Sequence, residues 1–209
     1  MARNGWPRTT DAARTGSGQA GFSLPELLAA LAVLGIVAGI GFYTVSTGGW
    51  RSGAVAGQLA QRLQLAATRA VFQQNDFVVR FDLATNTYSI HDDRNSDGTV
   101  NTSIGETVTT YELDSGGTRI VFGIPEGVDG IDGTEPSSAV TFAGSPPRIT
   151  FTPHGTATTG EIYLVPAEDL ARGTPDRMRA ISVSAATARI RRWRYDPDGN
   201  SPGPWRLEQ

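Results

Sequence analysis

The chain has 209 residues, 18 basic against 21 acidic, a formal net charge of −3 and no cysteine. That length suits one domain with an appendage, or two small domains at most. The missing cysteines exclude a disulfide scaffold, and the negative balance excludes a generic polyanion binder while allowing local clusters of charge.

Residues 1–21 set Arg3, Arg8 and Arg14 against Asp11 and end in the small-residue stretch Gly16–Gly21. Phe22-Ser23-Leu24-Pro25-Glu26 follows, and then an uninterrupted apolar run, Leu27–Tyr43. A secretory signal runs basic, apolar, then small-residue cut site. Here the small residues precede the apolar run, so a cut at Gly21 removes the leader and keeps the helix. The remainder carries 15 Arg against 20 Asp plus Glu, because the leader holds three Arg and one Asp. The 17 apolar residues reach roughly 26 Å as a helix, and with their flanks (22–46) they match a bilayer core of ~30 Å. The positive leader places the N-terminus in the cytoplasm and the rest outside. A cleaved export signal is the competing reading, but its small-x-small site, Ala54-Val55-Ala56, lies 11 residues beyond Tyr43, too far for the usual cleavage region.

Gly21-Phe22 followed by Glu26 and an apolar helix resembles the processing site of type IV pilins and type II secretion pseudopilins. The resemblance implies that a membrane prepilin peptidase cuts after Gly21 and N-methylates Phe22, and that Glu26 is the assembly residue. Pro25 departs from the family's branched aliphatic residue, but proline is accepted in the first turn of a helix. Glu26 has two readings. It is either a carboxylate stabilised by the helix dipole at the membrane interface, or an ionised group among apolar residues that needs a partner. The second is favoured, because cleavage creates a positive amine on Phe22 that a neighbouring subunit's Glu26 can meet.

Beyond Thr47-Gly48-Gly49, where the helix is expected to bend or loosen, residues 47–74 continue it as an amphipathic spine. Val55, Leu59, Leu63, Ala66 and Ala70 share one face and read as core. Residues 75–195 then read as a β-rich domain. Strands are expected over Phe77–Leu83, Thr87–His91, Thr107–Leu113, Arg119–Phe122, Ala139–Phe142, Arg148–Phe151, Glu161–Val165, Arg179–Ser184 and Ala188–Tyr195. Loops rich in Gly, Pro and Asp separate them, the longest being Gly123–Ser138; residues 196–209 read as a flexible tail. The fold class is α+β, one long helix laid on antiparallel sheet. Phe151-Thr152-Pro153-His154-Gly155, the strand at Glu161, Ile181-Ser182-Val183-Ser184 and Ala188-Arg189-Ile190 resemble the C-terminal half of the GspH/FimT group of minor pseudopilins. Residues 114–138 and the tail match nothing in that group, and Ala188 stands where it has glycine.

Three further patterns carry candidate chemistry. Asp93-Arg94-Asn95-Ser96-Asp97-Gly98 opens like a calcium loop, with Asp93, Asn95 and Asp97 as ligands; its twelfth residue is Ile104, and Glu106 arrives two residues late. Such sequences also make metal-free turns. Arg189, Arg191, Arg192 and Arg194, interleaved with Trp193 and Tyr195, can hold phosphates and stack bases. The plain alternative is a charged edge strand that deters aggregation. His91 and His154 pair with no nucleophile, so catalysis is not expected. The resemblance implies a minor pseudopilin of a type II secretion system, single-pass in the bacterial inner membrane with a periplasmic domain. Its expected partners are the prepilin peptidase, other pseudopilins and membrane lipid, with no cofactor beyond the calcium candidate. The alternative it implies is a FimT-like minor type IV pilin that binds DNA during natural transformation.

Overall fold

The computed structural model describes residues 23–114, 119–199 and 203–208, with backbone alone for 37–48. The leader 1–21 and the Gly21-Phe22 junction lie outside the described residues. Two compact units divide the chain, Met1–Thr44 and Val45–Gln209. Helix α1 is assigned from Leu24 to Gln73, so the glycines near residue 48 do not interrupt it. A helical glycine costs only about 1 kcal/mol against alanine, and the turn beyond is tied down. Ser52 Oγ donates to the Gly49 carbonyl at 3.1 Å, and Arg51 makes a two-pronged contact with Asp114 at 2.7 and 3.0 Å.

In the first unit, every side chain from Ser23 to Ile36 is exposed. Among the described residues no helix is long and apolar enough to cross a membrane. The side chains of 37–48, which complete the expected span, lie outside that description.

The second unit holds the sheets. β1 (Asp76–Asp82), β2 (Thr87–Asp93), β3 (Val108–Glu112) and β5 (Arg148–Phe151) form one antiparallel sheet in the order β3-β2-β1-β5. β4 (Ile120–Phe122), β6 (Gly160–Pro166), β7 (Arg179–Ser184), β8 (Arg189–Tyr195) and β9 (Trp205–Glu208) form the other, in the order β4-β6-β7-β8-β9. A short helix, α2 (Ala167–Arg172), follows β6. The stripe Val55, Leu59, Leu63, Ala66, Ala70 is buried throughout. It packs with Phe77, Val79 and Phe81 of the first sheet and with Ile162, Leu164, Ile181 and Val183 of the second. Strand side chains alternate between faces, so Tyr163, Val165 and Ala180 point the other way, into a second cluster with Val121, Val128, Met178 and Trp205.

Two expectations need correction. Ala139–Phe142 is no strand: only Val140 bridges, to Ile162. The reason is competition for one edge, since β4 pairs with Leu164–Pro166 of β6 and leaves room for a single bridge. Gly160 belongs to this close approach, because a Cβ there would sit 2.6 Å from the Phe142 ring. The tail is not free either. It turns at Asp196–Gly199 and returns as β9, which pairs with Arg192–Tyr195 of β8.

Candidate functional site

The start of α1 is built by local bonding. The Ser23 carbonyl accepts the Glu26 and Leu27 N–H groups at 3.0 and 3.1 Å. Pro25 therefore falls within the first turn, where a proline removes no intrahelical bond. Glu26 is the only acid of that turn, and it also completes an S-x-x-E spacing from Ser23, the pattern of a capping box. Around it the apolar side chains have no cover: Leu24 is 76% exposed, and Leu27, Leu28, Leu31, Val33, Leu34 and Ile36 are 55–64% exposed. A helix apolar on all sides is stable in water only when neighbours cover it. This end of α1 is thus an interaction surface with one charge at its head.

The arginine strand is divided by its own pleat. Ile190 packs against the main core, and Arg192 on that same side lies close to Gly57 of α1. Arg194 also faces that side and opposes the charge of Arg179, whose pKa burial lowers. Arg189 and Arg191 point to the opposite, outer face and are exposed. Trp193 and Tyr195 share their face but are occupied: Trp193 Nε1 donates to Ser182 Oγ at 2.9 Å, and Tyr195 meets Trp205 edge-on at 5.3 Å. The four guanidiniums and two aromatics do not form one surface.

The loop from Asp93 to Glu106 folds inward. Asp93 is buried and accepts the Asp97 and Gly98 N–H groups at 3.2 and 2.8 Å. Gly98 supplies the positive φ of 73° that this turn requires. Asp97 accepts the Thr99 hydroxyl and N–H and the amides of Asn95 and Asn101, and these hold its pKa down to about 2. Glu106 folds back to accept Arg94 N–H at 2.9 Å, Asn101 N–H at 2.6 Å and the His91 ring at 3.1 Å. Arg80 Nη1 lies 3.4 Å from His91 Nδ1. A guanidinium can only donate, so Nδ1 accepts and Nε2 carries the proton given to Glu106. His91, Asp93 and Glu106, all buried, bring ligand atoms within 4.8 Å of one another. This grouping is not visible in the sequence, where 15 residues separate His91 from Glu106. The tautomer removes His91 Nε2 as a ligand and leaves two carboxylates.

An exposed apolar helix with an acid in its first turn, carried by a domain of two antiparallel sheets, is the build of a pilin-like subunit. Two family matches agree with it: the prokaryotic N-terminal methylation motif covers residues 16–42, and Type II transport protein GspH covers residues 55–187. The second spans more than half of the chain, which therefore belongs to the GspH family of type II transport proteins. Among solved structures it is similar to the minor pseudopilin EpsH from the type 2 secretion system of Vibrio cholerae. Identity is 16%, the TM-score is 0.40, and the match covers 75% of this chain and 95% of that one. No curated protein sequence matches it.

Proposed function

We propose that this minor pseudopilin of type II secretion joins a short periplasmic filament through the helix beginning at Ser23, after a prepilin peptidase has cut behind Gly21 and N-methylated Phe22. One observation carries the reading. The helix that begins at Leu24, inside the methylation-motif match, is apolar on every described side from Leu24 to Ile36 and uncovered, with Glu26 in its first turn. Before assembly such a surface belongs in inner-membrane lipid, with the sheet domain on the periplasmic side; in the filament it belongs against the helices of other pseudopilins. Glu26 of one subunit then meets the Phe22 amine of the next, since a lone carboxylate among apolar groups is costly without a partner. The work is packing rather than catalysis.

The test is Glu26→Ala expressed with the partner pseudopilins. The variant should lose its leader normally yet fail to co-purify with them; normal incorporation would falsify the reading. The DNA-binding alternative through Arg189, Arg191, Arg192 and Arg194 gains no support from arginines that fall on two faces.

We also infer a calcium site at Asp93, Asn95 and Asp97, on one specific ground. Glu106, out of place for the loop by sequence count, has its carboxylate beside that of Asp93. Calorimetric titration of the full chain with millimolar calcium should give heat that Asp97→Asn abolishes, and an absence of heat rules the site out.

A further inference from the structure

We propose that the outer face of the second sheet carries a binding cleft for an acidic, extended polypeptide segment of a partner protein. That face is covered over only part of its area. The segment 123–138 and α2 close it where Val128, Leu170 and Ile131 pack on Tyr163, Val165 and Ala180. Beyond their edge the sheet is open, and a cleft of about 820 Å³ remains. Ser182 and Ser184 of β7 form its floor, Arg189 and Arg191 of β8 one side, and Asp132 and Glu135 of the covering loop the other.

The charges of the two sides are not equivalent. Every acid is already engaged: Asp132 accepts the Thr134 N–H and hydroxyl at 3.0 and 2.8 Å, Glu135 accepts Gly127 N–H at 3.0 Å, and Glu161 accepts the Tyr163 hydroxyl. Arg189 and Arg191 have no hydrogen bond or ion pair among the described residues. Ser182 Oγ accepts the Trp193 indole N–H and keeps its own proton to donate. The cleft therefore has donors in excess at one end, and two guanidiniums on alternate positions of a strand match carboxylates on alternate positions of an extended chain. Its volume lies within the range of small-ligand sites, enough for a short stretch of peptide. A nucleic acid fits less well. Trp193 and Tyr195 are committed to the second cluster and offer no stacking platform for bases.

The experiment uses the full chain in detergent micelles, unassembled, so filament incorporation does not enter. Fluorescence anisotropy at low salt follows a labelled peptide of about ten alternating Asp and Ser residues, long enough to cross the cleft. Its Asn/Ser counterpart and a single-stranded oligonucleotide of similar length are measured beside it. The acidic peptide should bind about tenfold tighter than the amide peptide, and more weakly as salt rises. Arg189→Gln with Arg191→Gln should remove about tenfold of that affinity without changing the circular dichroism spectrum. Arg194→Gln, exposed on the other face, should leave it within about twofold. Equal binding of the two peptides, or an unaffected double variant, overturns the proposal. Tighter binding of the oligonucleotide, lost in the same double variant, overturns it in favour of a nucleic-acid site.

Discussion

Glu106 shows how a single side chain can hold a loop that no sequence pattern announces. Burial acts to raise its pKa, but the N–H groups of Asn101, Arg94 and Asn95 and the His91 ring outweigh that and hold it below its ordinary 4.5. A carboxyl depressed in the folded state adds stability above its unfolded pKa and loses it as pH falls through the folded value. The melting midpoint should therefore drop on acidification below pH 4.5, and Glu106→Gln should flatten the upper part of that decline. Asp97, titrating near 2, keeps the lower part. An unchanged acid limb in Glu106→Gln, followed by calorimetry, would show that the loop is held by something else. At this scale the sequence exposes what is contiguous. Gly21, Phe22 and Glu26 lie within one short motif, whereas His91 and Glu106 meet only because β2 and β3 bring their ends together. The pleat of β8 was also readable, since period two puts Arg189 and Arg191 with Trp193 and Tyr195. That the two aromatics are occupied was not, because their cover comes from distant chain.

Among the elements, α1 was the most legible, for its apolar stripe repeats over many turns and leaves one face for the core. Leu63 is fully buried and Leu65, two residues on, is 50% exposed. Leu63→Ala should cost about 2–5 kcal/mol in denaturant unfolding, and Leu65→Ala within about 0.5 kcal/mol; similar losses at both would mean that the stripe does not define the core. Eight of the nine expected strands appear at their places, β4 having shrunk to three residues. The expected strand Ala139–Phe142 was lost to competition for the β6 edge, whereas the two elements missed, α2 with six residues and β9 with four, carry no periodic signal of their own. What fixes β9 is tertiary. Trp205 Nε1 donates to the Asp129 carbonyl at 2.9 Å, and Glu208 lies 3.0 Å from Arg179 Nε. That last contact is an ion pair by distance without hydrogen-bond alignment. The segment 123–138 resisted reading for the same reason, since it has no regular structure of its own and is defined by the sheet face beneath it.

For the molecule as an assembling unit, the position of Glu26 satisfies two different demands. As the fourth residue of Ser23-Leu24-Pro25-Glu26 it can cap the helix start, a task that glutamine performs as well as glutamate. As the partner of a neighbouring subunit's terminal amine it must carry charge, and glutamine cannot. The two roles separate cleanly in one substitution. Glu26→Gln keeps size, hydrogen bonding and helix propensity, so the sheet domain, held by its own cores, should fold and melt as before. If the charge is what assembly uses, Glu26→Gln should be cleaved behind Gly21 yet be as absent from purified filaments as Glu26→Ala. If helix starting is what matters, Glu26→Gln should be incorporated nearly normally while Glu26→Ala is not, and the charge-pairing account fails. The first outcome is the expected one. An amide can cap a helix, but only a carboxylate can neutralise the positive terminus that the proposed cleavage would leave among the apolar helices of a filament.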